Sequence, residues 1–431
     1  MLSKTIDIVS LGCSKNLVDS ERVIKMFENV GYKIFHNPSK IYSSIVIINT
    51  CGFIGDAKEE SINTILQYVE AKHNGFVSYI YVMGCLSERY RNELIHEIPE
   101  VDGWYGKFDW SNLITDITNK YNNIKPYERA ITTPSHYAYI KIAEGCNRFC
   151  SFCAIPLITG RYKSRSIEEI LEEVKLLVKQ GVKEFNIIAQ DLSYYGYDLY
   201  GEYKIAELIN KIALIDGVKW IRLHYAYPAQ FPIELLNIIA KHKNVCKYID
   251  IALQHISDPV LHNMRRHIDA KSTKELISQI RQIVPGIHIR TTLMVGFPGE
   301  GDNEFDELLQ FVKDTRFERL GAFAYCEEED TFGAKNFKDE VPNEVKELRL
   351  SKLMKIQEDI AFEINQEKIG KTLNVIIDRE DDDYYIGRTE WDSPEVDPEV
   401  LINKSKKLHI GNFYDVEIID ALPFELIGNV I

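Results

Sequence analysis

Three cysteines, separated by three and then by two residues, most constrain what this chain can fold into. Cys146, Cys150 and Cys153 follow a short apolar stretch, and Gly145 and Pro156 bracket the turn that carries them. A single loop with three thiols can ligate three irons of a compact iron–sulfur cube, because thiolates are the ligands that such clusters take. The fourth iron then has no protein ligand and can bind a small molecule.

A structural zinc site is the alternative for this loop. Closed zinc sites use four Cys or His ligands at short spacings. No Cys or His follows Cys153 closely, and His136 precedes Cys146 by ten residues. The spacing therefore favours the iron–sulfur cluster.

The pattern Cys-x3-Cys-x2-Cys, with Phe152 just before the last thiol, resembles the radical S-adenosylmethionine (SAM) superfamily. The resemblance implies that the open iron binds the amino and carboxylate groups of SAM. It further implies that an electron from the cluster cleaves the sulfonium to give a 5′-deoxyadenosyl radical, so that catalysis depends on Cys146, Cys150 and Cys153. The residue before the last thiol, Phe152, would lie against the adenine, although packing alone also explains an aromatic residue there.

Length and composition indicate a multidomain protein of the soluble globular class. With 431 residues, we expect two to three domains. The chain has no run of 18 apolar residues and no apolar signal segment at its start, so we expect a cytoplasmic protein without a membrane span. Eight cysteines in such a chain do not indicate a disulfide framework. The formal charge of −14 argues against a large nucleic-acid footprint.

Three further cysteines recur in the first 100 residues, each just after a predicted strand. The strands at 6–11, 45–48 and 79–83 precede Cys13, Cys51 and Cys85, and helices are predicted to begin at Asp19 or Ser20 and to span 57–69. Strands that alternate with helices form a parallel sheet, in which such turns share one edge. A lone cysteine is often a core residue, but three at equivalent positions predict a second cluster site.

These turns also carry a more specific resemblance. The segments 11–21 (LGCSKNLVDSE), 49–54 (NTCGFI) and 84–86 (GCL) resemble the methylthiotransferases, which are radical SAM enzymes with an auxiliary cluster. The resemblance implies two 4Fe-4S clusters, one on Cys13, Cys51 and Cys85 and one on Cys146, Cys150 and Cys153. It also implies that one SAM supplies the methyl group and a second SAM supplies the radical.

The central region continues the alternation of strands and helices. We predict six strands, at 139–143, 184–190, 218–224, 247–253, 287–295 and 320–325, with helices that include 167–180 and 271–283. Six such units make a partial (β/α)6 barrel, whose active site lies at the carboxyl ends of the strands. The cysteine loop follows the first strand and should therefore lie at that mouth.

Polar and glycine residues near the other strand ends are candidates for contacts with SAM. They are Gln190, Gln254, Arg290 and Gly296. An ordinary loop hydrogen bond explains each of the polar residues equally well, and a strand-to-helix turn needs glycine whatever the chemistry. Cys246 and Cys326 follow no motif and are interpreted as thiols that ligate no metal.

The last part of the chain begins with a linking helix at 342–366 and then becomes rich in short strands. About five strands predict a small antiparallel β-barrel, which resembles the TRAM domain that closes methylthiotransferases. From residue 367 onwards there are 15 acidic and 7 basic residues. This charge should repel a phosphate backbone and attract a basic partner. The stretch 391–397 is the candidate contact surface.

The methylthiotransferases have two main branches, and the tripeptide Ser14-Lys15-Asn16 resembles the branch that modifies an aspartate on a small-subunit ribosomal protein. The branch that modifies adenosine in transfer RNA usually has Gln-Met-Asn there. The resemblance thus implies domains at 1–125, 132–362 and 366–431, a basic ribosomal protein as substrate, and an electron donor such as flavodoxin or ferredoxin. We expect a monomer that does not bind transfer RNA. The rivals are the transfer-RNA enzyme and a non-catalytic iron–sulfur carrier.

Overall fold

The computed structural model describes residues 4–120, 124–125 and 127–431. Its N-terminal part is a five-stranded parallel sheet in the order β2-β1-β3-β4-β5. The elements are β1 (Thr5–Ser10), α1 (Ser14–Asn29), β2 (Lys33–His36), β3 (Ile45–Thr50), α2 (Gly55–His73), β4 (Tyr79–Gly84), α3 (Cys85–Glu97), β5 (Gly103–Trp104) and α4 (Trp110–Thr118). The three predicted strands are confirmed as β1, β3 and β4, which are neighbours in the sheet, so their carboxyl ends share one edge.

Helix α1 begins six or seven residues earlier than the sequence predicts. We expected Asp19 or Ser20 to cap it, but the residue before its first turn is Cys13. Asp19 and Ser20 are instead buried inside the helix. The Asp19 carboxylate pairs with Lys107 at 3.0 Å, and the Ser20 hydroxyl accepts a hydrogen bond from Asn49 at 2.9 Å. Tertiary contacts therefore use the side chains that would otherwise cap a helix.

The central part is an open, partial barrel of six strands, which we call the half-barrel. Each of these six main strands is parallel to its neighbours. Its elements are β6 (Tyr137–Lys141), β7 (Ala143–Glu144), α5 (Ile155–Thr159), β8 (Lys163–Ser164), α6 (Ile167–Lys179), β9 (Glu184–Ile188), α7 (Tyr197–Tyr200), α8 (Ile205–Ala213), β10 (Trp220–Leu223), α9 (Glu234–Lys241), β11 (Tyr248–Asp250), α10 (Asp258–Asn263), α11 (Ala270–Ile283), β12 (His288–Val295), α12 (Asp302–Thr315), β13 (Arg319–Ala324) and α13 (Phe332–Asn336). A short 3-10 helix, Leu192–Tyr194, follows β9.

The strands of the half-barrel form two three-stranded sheets, β10-β9-β6 and β11-β12-β13. Parallel bridges from Ile221 to Val245 and from Ala226 to Ile251 join them. All six predicted strands are thus present in chain order. Their outward side chains and the surrounding helices form one large apolar core.

Helix α14 (Asn343–Gln366) leads into a closed barrel in the order β14-β15-β16-β18-β17. Its strands are β14 (Thr372–Glu380), β15 (Tyr384–Arg388), β16 (Glu399–Asn403), β17 (Phe413–Ala421) and β18 (Glu425–Val430). Neighbouring strands are antiparallel except for β16 and β18, which are parallel. The predicted five-stranded barrel is confirmed, with this one parallel pair. No helix among the described residues is long and apolar enough to cross a membrane.

The C-terminal barrel covers the amino ends of the half-barrel strands. Arg388 pairs at 2.7 Å with Glu184, the first residue of β9, and Arg319, the first residue of β13, pairs at 2.5 Å with Asp392. Most of the stretch 391–397 lies in this interface, where its carboxylates bind half-barrel side chains. Our prediction that 391–397 is a contact surface for a partner was therefore wrong.

Candidate active site

The turns that carry Cys13, Cys51 and Cys85, the N-terminal thiols, meet at one edge of the N-terminal sheet. Cys13 precedes α1, Cys51 follows β3 and Cys85 opens α3. A Cβ added to Gly12 would lie 2.9 Å from the sulfur of Cys51, and one added to Gly52 would lie 2.7 Å from the backbone of Leu86. The glycines thus allow the turns to pack against each other, and cysteines 38 and 34 residues apart in sequence share one site.

Asn16 holds these turns in place. Its amide donates to the carbonyl of Thr50 at 2.9 Å, and its side-chain oxygen lies 3.5 Å from the sulfur of Cys85. The ammonium of Lys107 lies 3.9 Å from the same sulfur. The carboxamide oxygen accepts from the Cys85 thiol, whereas the Lys107 ammonium is a donor that stabilises thiolate charge.

The electrostatics of the three N-terminal thiols differ. Burial raises the pKa of Cys85 to about 12, and burial likewise raises the pKa of Cys51. At Cys13 desolvation opposes ionisation, but the charges of Lys15 and Lys107 and backbone N–H groups outweigh it and lower the pKa. A cluster needs thiolates, so its assembly releases protons from at least Cys51 and Cys85.

Cys146, Cys150 and Cys153, the loop thiols, lie on the connection from β7 to α5 at the carboxyl edge of the half-barrel. Gly145 has φ +71°, and a Cβ there would lie 2.6 Å from the carbonyl carbon of Arg161. Only glycine fits this turn without displacing the backbone. The Cys153 N–H donates to the carbonyl of Cys150 at 3.0 Å, so the loop curls around a common centre.

Two residues that the sequence did not single out contact the loop thiols. The guanidinium of Arg266 lies 3.2 Å from the sulfur of Cys150, and the hydroxyl of Tyr227 lies 3.9 Å from it. Burial raises the pKa of Cys146 to about 12 and raises that of Cys153 further. Arg266 therefore supplies positive charge where burial disfavours a thiolate. Neither residue belongs to a motif, and chain spacing gives no signal for contacts more than 70 residues apart.

A buried ion pair completes this rim. Arg148, within the cysteine loop, donates to the carboxylate of Asp191 at 2.6 Å. Desolvation raises the pKa of Asp191 despite the charge of Arg148. The second terminal nitrogen of Arg148 is buried and has no partner among the described residues. The pair thus offers a free donor to a polar ligand at the mouth.

Three of the predicted SAM contacts lie at this carboxyl edge. Phe152 packs beside Cys153 and meets Phe297 edge-on at 6.3 Å. Gln190 is half-buried two residues beyond β9. Gln254 has φ +73°, and its side-chain oxygen is buried without a partner in the described chain. Phe152 and Gln254 thus offer an aromatic face and an acceptor to a ligand.

Gly296 and Arg290 have other surroundings. Gly296 also ends its strand, but a Cβ there would lie 3.0 Å from Cδ of Lys346 on α14, so close packing explains this glycine. Arg290 lies near the amino end of β12 and pairs with Asp397 of the C-terminal barrel at 3.1 Å. The structure does not bring Arg290 together with the other predicted residues, because its position three residues into the predicted strand puts it near the opposite rim.

The surroundings of the loop thiols fit a bound cluster with a polar ligand. Arg148, Gln254 and Tyr162 keep buried polar atoms without partners in the part of the chain described here, as expected where a polar ligand belongs. No three Cys, His, Asp or Glu side chains among the described residues are close enough to hold one shared metal ion. A cubane makes a different demand, because each iron takes a single thiolate. His136, the histidine that precedes the cysteine loop in sequence, instead pairs at 2.7 Å with Asp378 of the C-terminal barrel.

The two sets of thiols are neighbours in space. Cys85 packs against Ala154 and Ile158, which lie on the turn and helix directly after Cys153. Cys246 is buried far from both sets, against Trp220 at the interface with the C-terminal barrel. Cys326 is exposed. Six of the eight cysteines thus form two adjacent groups at the facing edges of the N-terminal sheet and the half-barrel.

Three regions of the chain match known families. Residues 5–106 match the uncharacterized protein family UPF0004, residues 140–312 match the radical SAM superfamily, and residues 369–431 match the TRAM domain. Among solved structures, the radical SAM methyltransferase TsrM of Kitasatospora setae is similar, with a TM-score of 0.58 and 13% identity over 77% of each chain. At that identity the likeness concerns the fold alone.

Full-length relatives are much closer in sequence. The ribosomal protein uS12 methylthiotransferase RimO of Phocaeicola vulgatus is 59% identical over 100% of both chains. Proteins of the same name from Porphyromonas gingivalis and Cytophaga hutchinsonii are 55% and 47% identical. The first match covers 100% of both chains. The second covers 99% of this chain and 98% of the relative.

Proposed function

Because the chain belongs to the ribosomal protein uS12 methylthiotransferase family of radical SAM enzymes, we propose that it inserts a methylthio group at the β-carbon of an aspartate on that ribosomal protein. The observation that carries this proposal is the adjacency of the N-terminal thiols and the loop thiols. One group suits SAM cleavage and the other suits a second cluster that carries sulfur. A substrate carbon between them can meet both the radical and the methylthio group.

At the half-barrel mouth, the loop thiols hold a 4Fe-4S cluster that, when bound, supplies the electron for cleavage of SAM. The guanidinium of Arg266 offsets the negative charge of the Cys150 thiolate. Gln254 offers a buried acceptor and Arg148 a buried donor to the polar groups of SAM. Phe152 provides an apolar face at the same edge. These residues bind and orient the cofactor and exclude water from the radical.

At the N-terminal edge, Cys13, Cys51 and Cys85 would hold a second 4Fe-4S cluster. The support is the equivalence of the sites, since each group has three thiols and leaves one iron of a cubane without a protein ligand. Lys107 places a cationic donor beside Cys85, and the amide of Asn16 holds the turn after β3 next to it. The reducing electrons come from a small donor protein such as flavodoxin or ferredoxin, and the enzyme acts as a monomer in the cytoplasm.

The surface of the C-terminal barrel supports a basic protein rather than an RNA as substrate. Asp381, Asp382 and Asp383 form an exposed run with Glu380, and Glu417 is exposed on β17. A surface of this charge attracts a basic ribosomal protein and repels a phosphate backbone. Asp392 and Asp397 contribute little to it, because they bind half-barrel side chains, whereas Glu395 is exposed.

The test compares the two substrates of the wider family directly. Anaerobically reconstituted enzyme, with SAM and a reductant, is incubated separately with ribosomal protein uS12 and with transfer RNA, and both products are measured by mass spectrometry. We expect a mass gain of one methylthio group on one aspartate of uS12 and no change in the RNA. Methylthiolated adenosine with unmodified uS12 would overturn the proposal and support the transfer-RNA enzyme.

Cysteine variants separate the two metal sites. Cys150→Ala should abolish formation of 5′-deoxyadenosine, because SAM cleavage needs the loop thiols. Cys51→Ala should lose methylthiolation but retain some SAM cleavage. Iron analysis should give about eight irons in the wild type and about four in either variant. Cys246→Ala is the matched control, since this buried thiol lies away from both groups. Methylthiolation by Cys51→Ala would show that the second cluster has another role.

A further inference from the structure

Lys15 is a largely buried cation that has no carboxylate partner among the described residues, although its charge acts on the nearby Cys13 thiol. It lies in the first turn of α1, two residues after Cys13, and only 8% of its surface is exposed. Its ammonium stands 3.5 Å from the ring centroid of Tyr225. Within residues 4–120, 124–125 and 127–431, no carboxylate or hydrogen-bond acceptor contacts it. The aromatic ring is therefore its main partner within the described chain, and the ammonium itself keeps some contact with solvent.

This arrangement is energetically incomplete. Contact with an aromatic face offsets only part of the cost of removing an ammonium from most of its water. Other cations close to the thiols each have a carboxylate partner within the protein. Lys107 pairs with Asp19 at 3.0 Å, and Arg148 pairs with Asp191 at 2.6 Å. A ligand with a negative charge would complete the surroundings of Lys15 in the same way.

The position of Lys15 identifies that ligand. Its neighbour Tyr225 follows β10 at the carboxyl edge of the half-barrel. Two residues further on, the hydroxyl of Tyr227 lies 3.9 Å from the sulfur of Cys150. Lys15 itself adjoins Cys13 in sequence. It thus reaches from the N-terminal thiols to the wall of the radical site, which is where the reacting carbon of a substrate must lie.

We propose that Lys15 binds the side-chain carboxylate of the substrate aspartate. This inference rests on the proposed function, in which the β-carbon bonded directly to that carboxylate is modified. A charge-assisted contact to the carboxylate fixes the β-carbon between the two groups of thiols. It also discriminates against asparagine, whose amide is neutral and cannot form an ion pair. Lys15 is then a specificity-determining residue for an acidic side chain.

The test is a double-mutant cycle between enzyme and substrate. Wild-type and Lys15→Met enzymes, both reconstituted and supplied with SAM, are titrated with uS12 that carries aspartate or asparagine at the modified position. For the wild type, we expect the asparagine protein to bind roughly 10- to 100-fold more weakly, as for loss of a hydrogen-bonded ion pair. For Lys15→Met, both proteins should bind equally weakly.

Two further variants make the outcome interpretable. Lys15→Arg keeps the charge and should retain most of the preference for aspartate, which is informative even if Lys15→Met folds poorly. Lys25→Met is the matched control, because Lys25 lies on the same helix but is partly exposed and pairs with Glu28 at 3.7 Å. It should bind like the wild type.

Two results would overturn the proposal, and they can be told apart. If Lys15→Met, with wild-type iron content, still prefers aspartate by the wild-type factor, Lys15 does not meet the carboxylate although the proposed function stands. If the wild-type enzyme neither binds nor methylthiolates uS12, the proposed function fails first and this inference fails with it.

Discussion

Gly84 offers a sharp test of how the N-terminal thiols are positioned. It ends β4, precedes Cys85 and has φ +101° with ψ −162°, a region that side chains rarely adopt. A Cβ there would lie 2.5 Å from the carbonyl oxygen of Thr50 and 2.7 Å from its nitrogen, and would also contact Asn49. Because the obstacles include backbone, Gly84→Ala must shift the strand ends and with them Cys85.

The expected cost follows from two separate contributions. The strained backbone contributes about 1–3 kcal/mol, and insertion of a methyl group into a filled space contributes about 1–3 kcal/mol more. The chain can avoid part of this cost by moving the turn away from β3. That movement separates Cys85 from Cys51, so the second cluster should be lost before the fold is.

Iron analysis and thermal unfolding of the reconstituted enzyme measure both effects. We expect Gly84→Ala to hold about four irons instead of about eight, to retain SAM cleavage and to lose methylthiolation. Gly31→Ala is the matched control, since Gly31 has φ +88° but nothing within 4 Å of an added Cβ. It should keep all its iron. If Gly84→Ala binds as much iron as Gly31→Ala, the packing of the turns does not position Cys85.

Two further predictions concern the interface with the C-terminal barrel. Glu184→Gln leaves the buried Arg388 with one carboxylate fewer, so the unfolding free energy in urea should fall by about 3 kcal/mol. The exposed Glu172→Gln is its control, and equal midpoints would contradict this role. Burial lowers the pKa of Lys368 to about 7, so between pH 7 and 9 the unfolded chain binds a proton that the folded chain lacks, and stability should rise with pH. Lys368→Met should flatten that rise and the exposed Lys371→Met should not; an unchanged slope in Lys368→Met would refute the assignment.

The sequence sufficed for the elements whose apolar pattern is strong. Strand β3 is buried along its whole length, and its run of Ile and Val marks a strand with both faces covered. The same reasoning located all six half-barrel strands and the five strands of the C-terminal barrel. Parallel topology then predicted that Cys13, Cys51 and Cys85 share one edge, because this conclusion needs only the order of strands and helices.

Properties that depend on contacts between distant segments could not be predicted from the sequence. The stretch 391–397 looks like an exposed acidic loop, but two of its carboxylates bind three side chains at the amino ends of the half-barrel strands: Asp392 binds Arg319, and Asp397 binds Arg290 and Tyr248. Charge alone does not reveal whether a carboxylate faces water or a buried guanidinium. Arg290 is a different case, because its place three residues into the predicted strand 287–295 already puts it near the amino end; only its partner, Asp397, could not be predicted.

The adjacency of the two metal sites depends on helix α1, which links the two sheets. Asp19 pairs with Lys107 of the N-terminal part at 3.0 Å and also with Lys141 at the end of β6. Val18, one residue earlier, packs against Tyr139 on the same strand. Topology places each group of thiols at a strand edge, but it says nothing about how the two edges face each other. That orientation depends on a single helix: Cys13 caps it, Lys15 lies in its first turn, and its second turn docks on the half-barrel. The carboxylate-binding site that we infer and the spacing of the two sites therefore depend on the same few residues.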